Sequence, residues 1–519
     1  MGTTLRQRLE ALSPDVLKDL RRGIEKESLR TRPDGMLALT PHPVALGSAL
    51  THPHITTDFC EAQLELITGV HINVETCLEE LKHIHQYVYR HIGGELLWCA
   101  SMPCGLADEA AIPIAQYGRS NMGRAKTVYR TGLSYRYGRR MQTISGIHYN
   151  FSLPESVWPI PGLGDANHAY FALIRNFRRH AWMLLHLFGA SPAVCASFVA
   201  GRTHELGHLA PGTLYLPHAT SLRMGRLGYL SAAQDSLSVS YNDLGSYTAS
   251  LYSALTQPYP PYEVIGIRTG DDYRQLATSL LQIENEFYST IRPKRVIFPG
   301  ERPLHALRER GVEYVEVRAL DLDPFCPLGI TADTIRFLDI FLLHCLLADS
   351  PDDTPQEIES IGHNMQRVAT CGRERGLRLE RDLERLELRE WEAEVLEACE
   401  PIALALDVAN GGAGYQRALI AAIRRLEDPS SLPSARVLAE MEERCGGSYA
   451  QWVLTKSIEH RHVLARGSLS VDVESRFARI AQDSIDDQRK IEASDQVPFE
   501  AYRRHYLSKE RLGLAETGP

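Results

Sequence analysis

The sequence predicts an α+β fold, with an antiparallel or mixed sheet, flanking helices and a mainly helical C-terminal part. Three observations predict it. Four separated stretches alternate polar and apolar residues with the period of a strand, and helical spacing fills the intervals between them. After about residue 330 the chain turns to long helix-like runs with charged faces. No internal repeat, low-complexity block or linker forces a cut, so residues 1–519 are expected to form a single unit. About 1–330 would be its mixed sheet and helix portion, carrying the site, and about 331–519 a helical portion packed on it.

In chain order, residues 5–20 read as an amphipathic helix. The first alternating stretch is RRGIEKESLR (21–30) and the second TTDFCEAQLELIT (56–68). Between 74 and 92, Leu78, Leu81, Ile84 and Val88 stand at helical spacing. The third stretch is SGIHYNFSLP (145–154), followed by a helix over about 165–190. From Ala181 to Gly201 there is no charge over a length that could span a bilayer. His186 and the break at Gly189 to Pro192 divide it, so a buried core helix and a turn are expected instead. Residues 212–250 read as a tyrosine-rich loop, and 271–288 pass from helix-like to strand-like spacing. EYVEVRALD (313–321) is the fourth stretch. IRFLDIFLLHCLLADS (335–350) reads as a strongly apolar helix, and 377–402 as a charge-laced one with Leu379, Leu383 and Leu386 on one stripe.

A strand sends residues i and i+2 to the same face. Glu25 therefore shares a face with Glu27, His148 with Asn150, and Glu316 with Arg318. Most alternating strands simply wet their polar face, but these four carry Glu25, Glu27, Asp58, Glu65 and Glu316 beside few lysines, with Lys26 on the opposite parity. If the strands pair, the acids collect on one side, where repulsion and desolvation oppose ionisation unless cations join them. A multi-metal site holding an anionic substrate such as a nucleoside triphosphate is the economical reading. First-row transition metals usually recruit several histidines, and His148 alone lies in the four stretches, which favours magnesium and its oxygen ligands. A dinuclear hydrolase and a nucleotide-sensing binding protein stay open as alternatives at this point.

Composition narrows the partners. Of the residues, 44% are hydrophobic and 23% charged, and 56 basic against 65 acidic groups give a formal charge of −9. That balance argues against general nucleic-acid or anionic-membrane binding. The ten cysteines are scattered with no C-x-x-C pair, a usage that suits a reducing compartment. The start, MGTTLRQRLEALSPDVL, lacks the basic and then apolar run of a signal peptide, and Arg6 breaks the myristoylation pattern that Gly2 begins. A cytoplasmic protein is expected.

No nucleotide fingerprint is complete. GRSNMGRAKT (118–127) has glycines at phosphate-loop spacing, but Arg124 stands where the lysine must be and Lys126 comes two places late. No G-x-G-x-x-G follows a strand. In RPKRV (292–296), Arg292 and Lys294 share a face and are candidates for ATP phosphate contacts. Arg318, two residues from Glu316, could reach a phosphoryl group that a metal on Glu316 also holds. Phe59, Tyr129, Tyr229 and Tyr288 supply aromatic edges that could orient a small polar ligand.

These residues, in this order, resemble the proteobacterial type of the glutamate–cysteine ligase (γ-glutamylcysteine synthetase) family. The resemblance rests on RRGIEKESLR, HPVALGSALTHPHITTDFCEAQLELIT, AQYGRSNMGRAKTVYRTGLSYRYG, MQTISGIHYNFSLP, LFGASPAVCASF, LPHATSLRMGRLGY, LQIENEFYSTIRPKR and EYVEVRALDLDPFCPLGI. It continues more weakly through NGGAGYQ (410–416) and EASDQVPFEAY (492–502), and departs most over about 351–400. It implies a glutamine synthetase-like antiparallel sheet whose concave face forms an active-site funnel. It implies magnesium, or manganese, on Glu25, Glu27, Asp58, Glu65, His148 and Glu316. A cysteine pocket would come from Phe59, Tyr129, Ile144, Tyr229 and Tyr288, with glutamate or phosphate contacts from Arg130, Arg223 and Arg318. The implied activity is ATP-dependent joining of the γ-carboxylate of L-glutamate to the amine of L-cysteine through a γ-glutamyl phosphate, the first step of glutathione biosynthesis. Arg318 and Glu316 would be catalytic, glutathione would inhibit by feedback, and a monomer is expected.

Overall fold

The alternation over 21–31 is the spine of the architecture. In the computed structural model, which describes residues 4–106, 108–228, 232–235, 237–382, 384–467 and 469–513, it forms the long strand β1 (Arg21–Thr31). The 56–68 stretch is not one strand but a hairpin. Its arms are β2 (Ile55–Thr57) and β3 (Gln63–Ile67), closed where Gln63 N–H donates to the Cys60 carbonyl (2.9 Å). Next come β4 (Leu96–Leu97), β5 (Ile147–Ser152), β6 (Ile291–Lys294) and β7 (Tyr314–Leu320). All seven join one antiparallel sheet in the order β6-β7-β5-β1-β3-β2, with β4 on the far end of β1.

Register decides what the sheet presents. Ile24 pairs with Tyr149, Tyr149 with Val317, and Val317 with Ile291, giving an apolar row across four strands. All four are buried and belong to a core shared with the helices Val74–His91, Ala166–His180 and Ala332–Leu347. The neighbouring rows are polar and face the other way: Glu25 lies opposite His148, Glu27 opposite Glu65, and Asn150 opposite Glu316, which lies opposite Arg292. Lys26 does sit on the other parity, buried under the helices with Nζ 2.7 Å from His85 Nε2. Burial pulls it down to about 8.

Below the apolar row, Arg22 pairs with Asp339 (3.1 Å), which also accepts from the Tyr149 (2.6 Å) and Tyr415 (3.2 Å) hydroxyls. This buried polar knot ties β1 and β5 to the helices Ala332–Leu347 and Gly414–Glu427.

The helices expected over 74–92, 165–190 and 335–350 form, as Val74–His91, Ala166–His180 with Trp182–Phe188, and Ala332–Leu347. The uncharged 181–201 segment is buried core, with His186 held 2.6 Å from Glu392. Four local readings are corrected. Residues 5–20 make two short helices, because Ser13 caps a second one with Pro14 at its first position. The supposed loop over 212–250 runs into the helix Leu244–Thr256, started by Asp243 accepting from Ser246 N–H (2.8 Å). Residues 271–288 hold little regular structure: buried Gln275, Gln282 and Glu286 take over backbone hydrogen bonding there. Residues 378–387 form a hairpin around Asp382, at φ 51°, before the helix Leu388–Asn410. Leu383 lies outside the described residues. The scattered cysteines predicted no disulfide framework, yet Cys104 and Cys195 are joined across 91 residues.

Candidate active site

The polar face of the sheet floors a cavity of about 440 Å³. The strands contribute Glu25, Glu27, Glu65, His148, Arg292, Lys294, Glu316 and Arg318, and the β2–β3 turn adds Asp58 and Phe59. One wall is the helix Asn121–Tyr137, capped by Ser120 accepting from Gly123 N–H (3.1 Å), which presents Lys126, Tyr129 and Arg130. Ile144 and Tyr288 complete the predicted residues on its lining. Residues as far apart in the chain as Glu25 and Arg318 thus meet because antiparallel pairing brings their strands together.

His148 stands at the centre of the acids. Its Nδ1 lies 3.2 Å from Glu25 Oε2 and 3.8 Å from Glu316 Oε1, and its Nε2 lies 3.7 Å from Glu27 Oε1. Burial, then Arg318, holds its pKa below the usual value, so the ring is neutral. Nδ1 faces both the Glu25 carboxylate and the Arg318 guanidinium (3.5 Å), and Nε2 is the nitrogen turned toward Glu27. That nitrogen is buried and has no hydrogen-bond partner among the described residues. One donor atom each from Glu25, Glu65 and His148 lies within 4.8 Å of the others.

The carboxylates divide by their neighbours. Burial and Asp58 push Glu27 up to about 8, although Arg223, Arg318 and the Gly146 N–H that donates to it (2.7 Å) oppose the shift. Burial and then Glu25 and Asp58 hold Glu65 well above the carboxylate range. Burial also pushes on Glu316, but Lys294 (3.2 Å) and Arg318 (3.2 Å) outweigh it and keep it well below. For Glu25, the His148 contact and Lys294 overcome burial, and Asn150 donates to its other oxygen (2.9 Å). Two carboxyls that resist ionisation beside two that are ionised, with an orphaned imidazole nitrogen between them, fit hard divalent cations.

The opposite side of the cavity is apolar and aromatic. Phe59, Tyr129 and Ile144 are buried there, and Gln142 Nε2 donates to the Tyr288 hydroxyl (2.6 Å). Arg130 is anchored by Nε to the Asp58 carbonyl and by its guanidinium over the Tyr117 ring (4.5 Å). Arg292 donates to the carbonyls of Asn285 (3.0 Å) and Phe287.

One expected residue stands apart. Arg223 does not line the cavity: fully buried, it donates to the Arg318 carbonyl (3.0 Å) and lies 3.9 Å from Asp321. In this state it supports Arg318 from behind, because the short Gly146 lets its guanidinium fill the space where a Cβ would stand. Tyr229 lies outside the described residues. Sequence reasoning passed over Gln142 and Asn150 as site residues, although Asn150 shares the parity of His148. For Gln142 the MQTISG segment carried no periodic signal.

A model of the glutamate–cysteine ligase family matches residues 7–368. The chain belongs to that family. It is 47% identical to a glutamate–cysteine ligase of Alcanivorax borkumensis, over 97% of this chain and 99% of that one. A second, from Azotobacter vinelandii, is 48% identical over 96% of each. The fold superposes on a crystal structure of glutamate–cysteine ligase from Francisella tularensis in complex with AMP, with a TM-score of 0.89, 34% identity and coverage of 94% of this chain and 97% of that one. Those relatives align over nearly the whole chain, so the similarity continues into the helical part beyond residue 368.

Proposed function

We propose that this chain joins the γ-carboxylate of L-glutamate to the amine of L-cysteine at the expense of ATP, the opening reaction of glutathione biosynthesis. The observation that carries the reading is the polar face on which Glu25, Glu27, Glu65, His148, Glu316 and Arg318 meet beside an aromatic wall. Such a face suits a triphosphate and a small amino acid held edge to edge.

A carboxylate does not condense with an amine directly, because its oxygen leaves poorly. The γ-carboxylate oxygen instead attacks the γ-phosphorus of ATP, ADP departs, and a γ-glutamyl phosphate forms. The cysteine amine, having given up its proton, attacks the carbonyl carbon, and inorganic phosphate leaves with the oxygen that came from glutamate. Arg318 is assigned to the charge on the moving phosphoryl group, and Arg292 and Lys294 to the triphosphate. Glu316 keeps Arg318 and Lys294 oriented (both 3.2 Å). Glu25, Glu27, Asp58, Glu65, His148 and Glu316 would hold magnesium or manganese. When bound, the ion neutralises triphosphate charge and polarises the phosphoryl oxygens. Phe59, Tyr129, Ile144, Tyr229 and Tyr288 are assigned to cysteine and Arg130 to a carboxylate or phosphate contact, while Arg223, buried behind the cavity, positions Arg318 through its carbonyl.

The chain is proposed to work as one catalytic unit and as a cytoplasmic monomer, with glutathione competing against glutamate. No helix among the described residues is long and apolar enough to cross a membrane. ADP release by the purified protein with magnesium and ATP tests the activity. Release that needs glutamate together with cysteine, or with thiol-free 2-aminobutyrate, supports ligation. Release without an amine, or none with any pair, refutes it.

A further inference from the structure

The lysine of GRSNMGRAKT, two places late for a phosphate loop, lines the cavity, and the proposed ligation chemistry leaves it without a role. Lys126 sits one helical turn before Arg130 on the Asn121–Tyr137 helix, and both cations lie over the Tyr117 ring, Nζ at 5.2 Å and the guanidinium carbon at 4.5 Å. Tyr117 is itself fixed, buried with its hydroxyl donating to the Thr57 carbonyl (2.6 Å).

The other cavity cations have definite protein partners. Lys294 and Arg318 hold Glu316, Arg292 donates to backbone carbonyls, and Arg130 donates to the Asp58 and Lys126 carbonyls. Lys126 differs. Among the described residues it has neither an ion pair nor a hydrogen-bond acceptor, only the face of Tyr117. Like charges four residues apart on a helix repel, and a half-buried ammonium with no ion pair is costly. Burial first, and Arg130 second, draw it down to about 8 against the opposing charge of Glu65. A negative group delivered by a ligand would relieve both penalties. Glu316, Lys294 and Arg318 lie on the sheet strands and serve the phosphoryl side, whereas Lys126 shares its helix with Tyr129, on the amino-acid side.

We infer that Lys126, with Arg130 beside it, anchors the α-carboxylate of an amino-acid substrate. The inference rests on the proposed ligase reading, in which both glutamate and cysteine carry such a group. Decarboxylated analogues separate the two sources: 4-aminobutyrate keeps the γ-carboxylate of glutamate, and cysteamine keeps the amine and thiol of cysteine.

The experiment measures ADP release by wild type, Lys126→Gln and Lys126→Arg with each natural substrate and its analogue. One charge-assisted hydrogen bond corresponds to roughly 10- to 100-fold in kcat/KM. Lys126→Gln is expected to lose that much of its preference for one natural substrate over its decarboxylated analogue, leave the other preference and the KM for ATP unchanged, and be partly restored by Lys126→Arg. The preference that collapses identifies the substrate. Unchanged preferences for both pairs, or a rise confined to the KM for ATP, overturns the assignment. Should Lys126→Gln fail to fold, the Lys126→Arg ratios decide alone, since a shifted guanidinium must alter one of them. Wild type that releases no ADP with glutamate and cysteine would sink the ligase reading itself, a result distinct from any of these.

Discussion

Glu27→Gln tests how protonation and metal binding are linked on the acidic face. Burial and Asp58 hold the Glu27 carboxyl at about 8, against an ordinary 4.5. At about 1.4 kcal/mol for each factor of ten, ionising it in the metal-free protein costs on the order of 5 kcal/mol more than ionising an ordinary solvated carboxyl. The folded chain keeps this proton in a pH range where the unfolded chain has lost it. Folding therefore binds protons, and the contribution of Glu27 to stability falls as pH rises from about 4.5 to about 8. It is level below and above that window. A divalent cation that takes the proton's place should restore the loss, bind more tightly as pH rises and expel a proton at pH near 7. Glutamine has nearly the same shape and no proton to lose. Thermal unfolding of chelator-treated protein between pH 5.5 and 8.5, with and without magnesium, reads the stability difference. Calorimetry in buffers of different ionisation enthalpy counts the protons. Relative to wild type, the metal-free variant should gain stability steadily as pH rises, and magnesium should expel about one proton fewer from it. Glu65 retains its own contribution in both. Equal proton release in the two proteins, or a stability difference that does not change with pH, refutes the reasoning.

Arg318→Ala should lower kcat by about 10²- to 10³-fold, the cost of removing one preorganised charge from a developing phosphoryl oxyanion, with the KM for cysteine nearly unchanged in steady-state assays. Tyr288→Phe removes the hydroxyl to which Gln142 donates at 2.6 Å, and should raise the KM for cysteine by about 5-fold with little effect on that for ATP. Asp339→Ala strands the buried Arg22 guanidinium beneath β1, and chemical denaturation should show a loss of about 3–5 kcal/mol.

Parity made half of the site legible in the sequence. Glu25 with Glu27, and Glu316 with Arg318, had to share a face because a strand's side chains alternate. Which strand lies beside which is a non-local matter: the Glu25–His148 and Glu27–Glu65 pairings join segments as much as 123 residues apart, and no local pattern encodes them. The 378–387 hairpin was hidden because apolar residues at Leu379 and Leu386 fit a helical stripe as well as a turn back on itself, and only the left-handed Asp382 decides. The same blindness covers Arg223, whose position behind Arg318 depends on the packing of the 221–224 turn against Asp321. Lys126 was visible only as a motif that failed; its lack of an ion pair among the described residues is a property of the folded cavity.

The central claim is that glutamate is activated as an acyl phosphate on this face, and the fate of one oxygen decides it. With L-glutamate carrying oxygen-18 in its γ-carboxylate, together with magnesium, ATP and cysteine, mass spectrometry of the released inorganic phosphate should find one labelled oxygen per phosphate. Dipeptide formed alongside unlabelled phosphate would contradict the account.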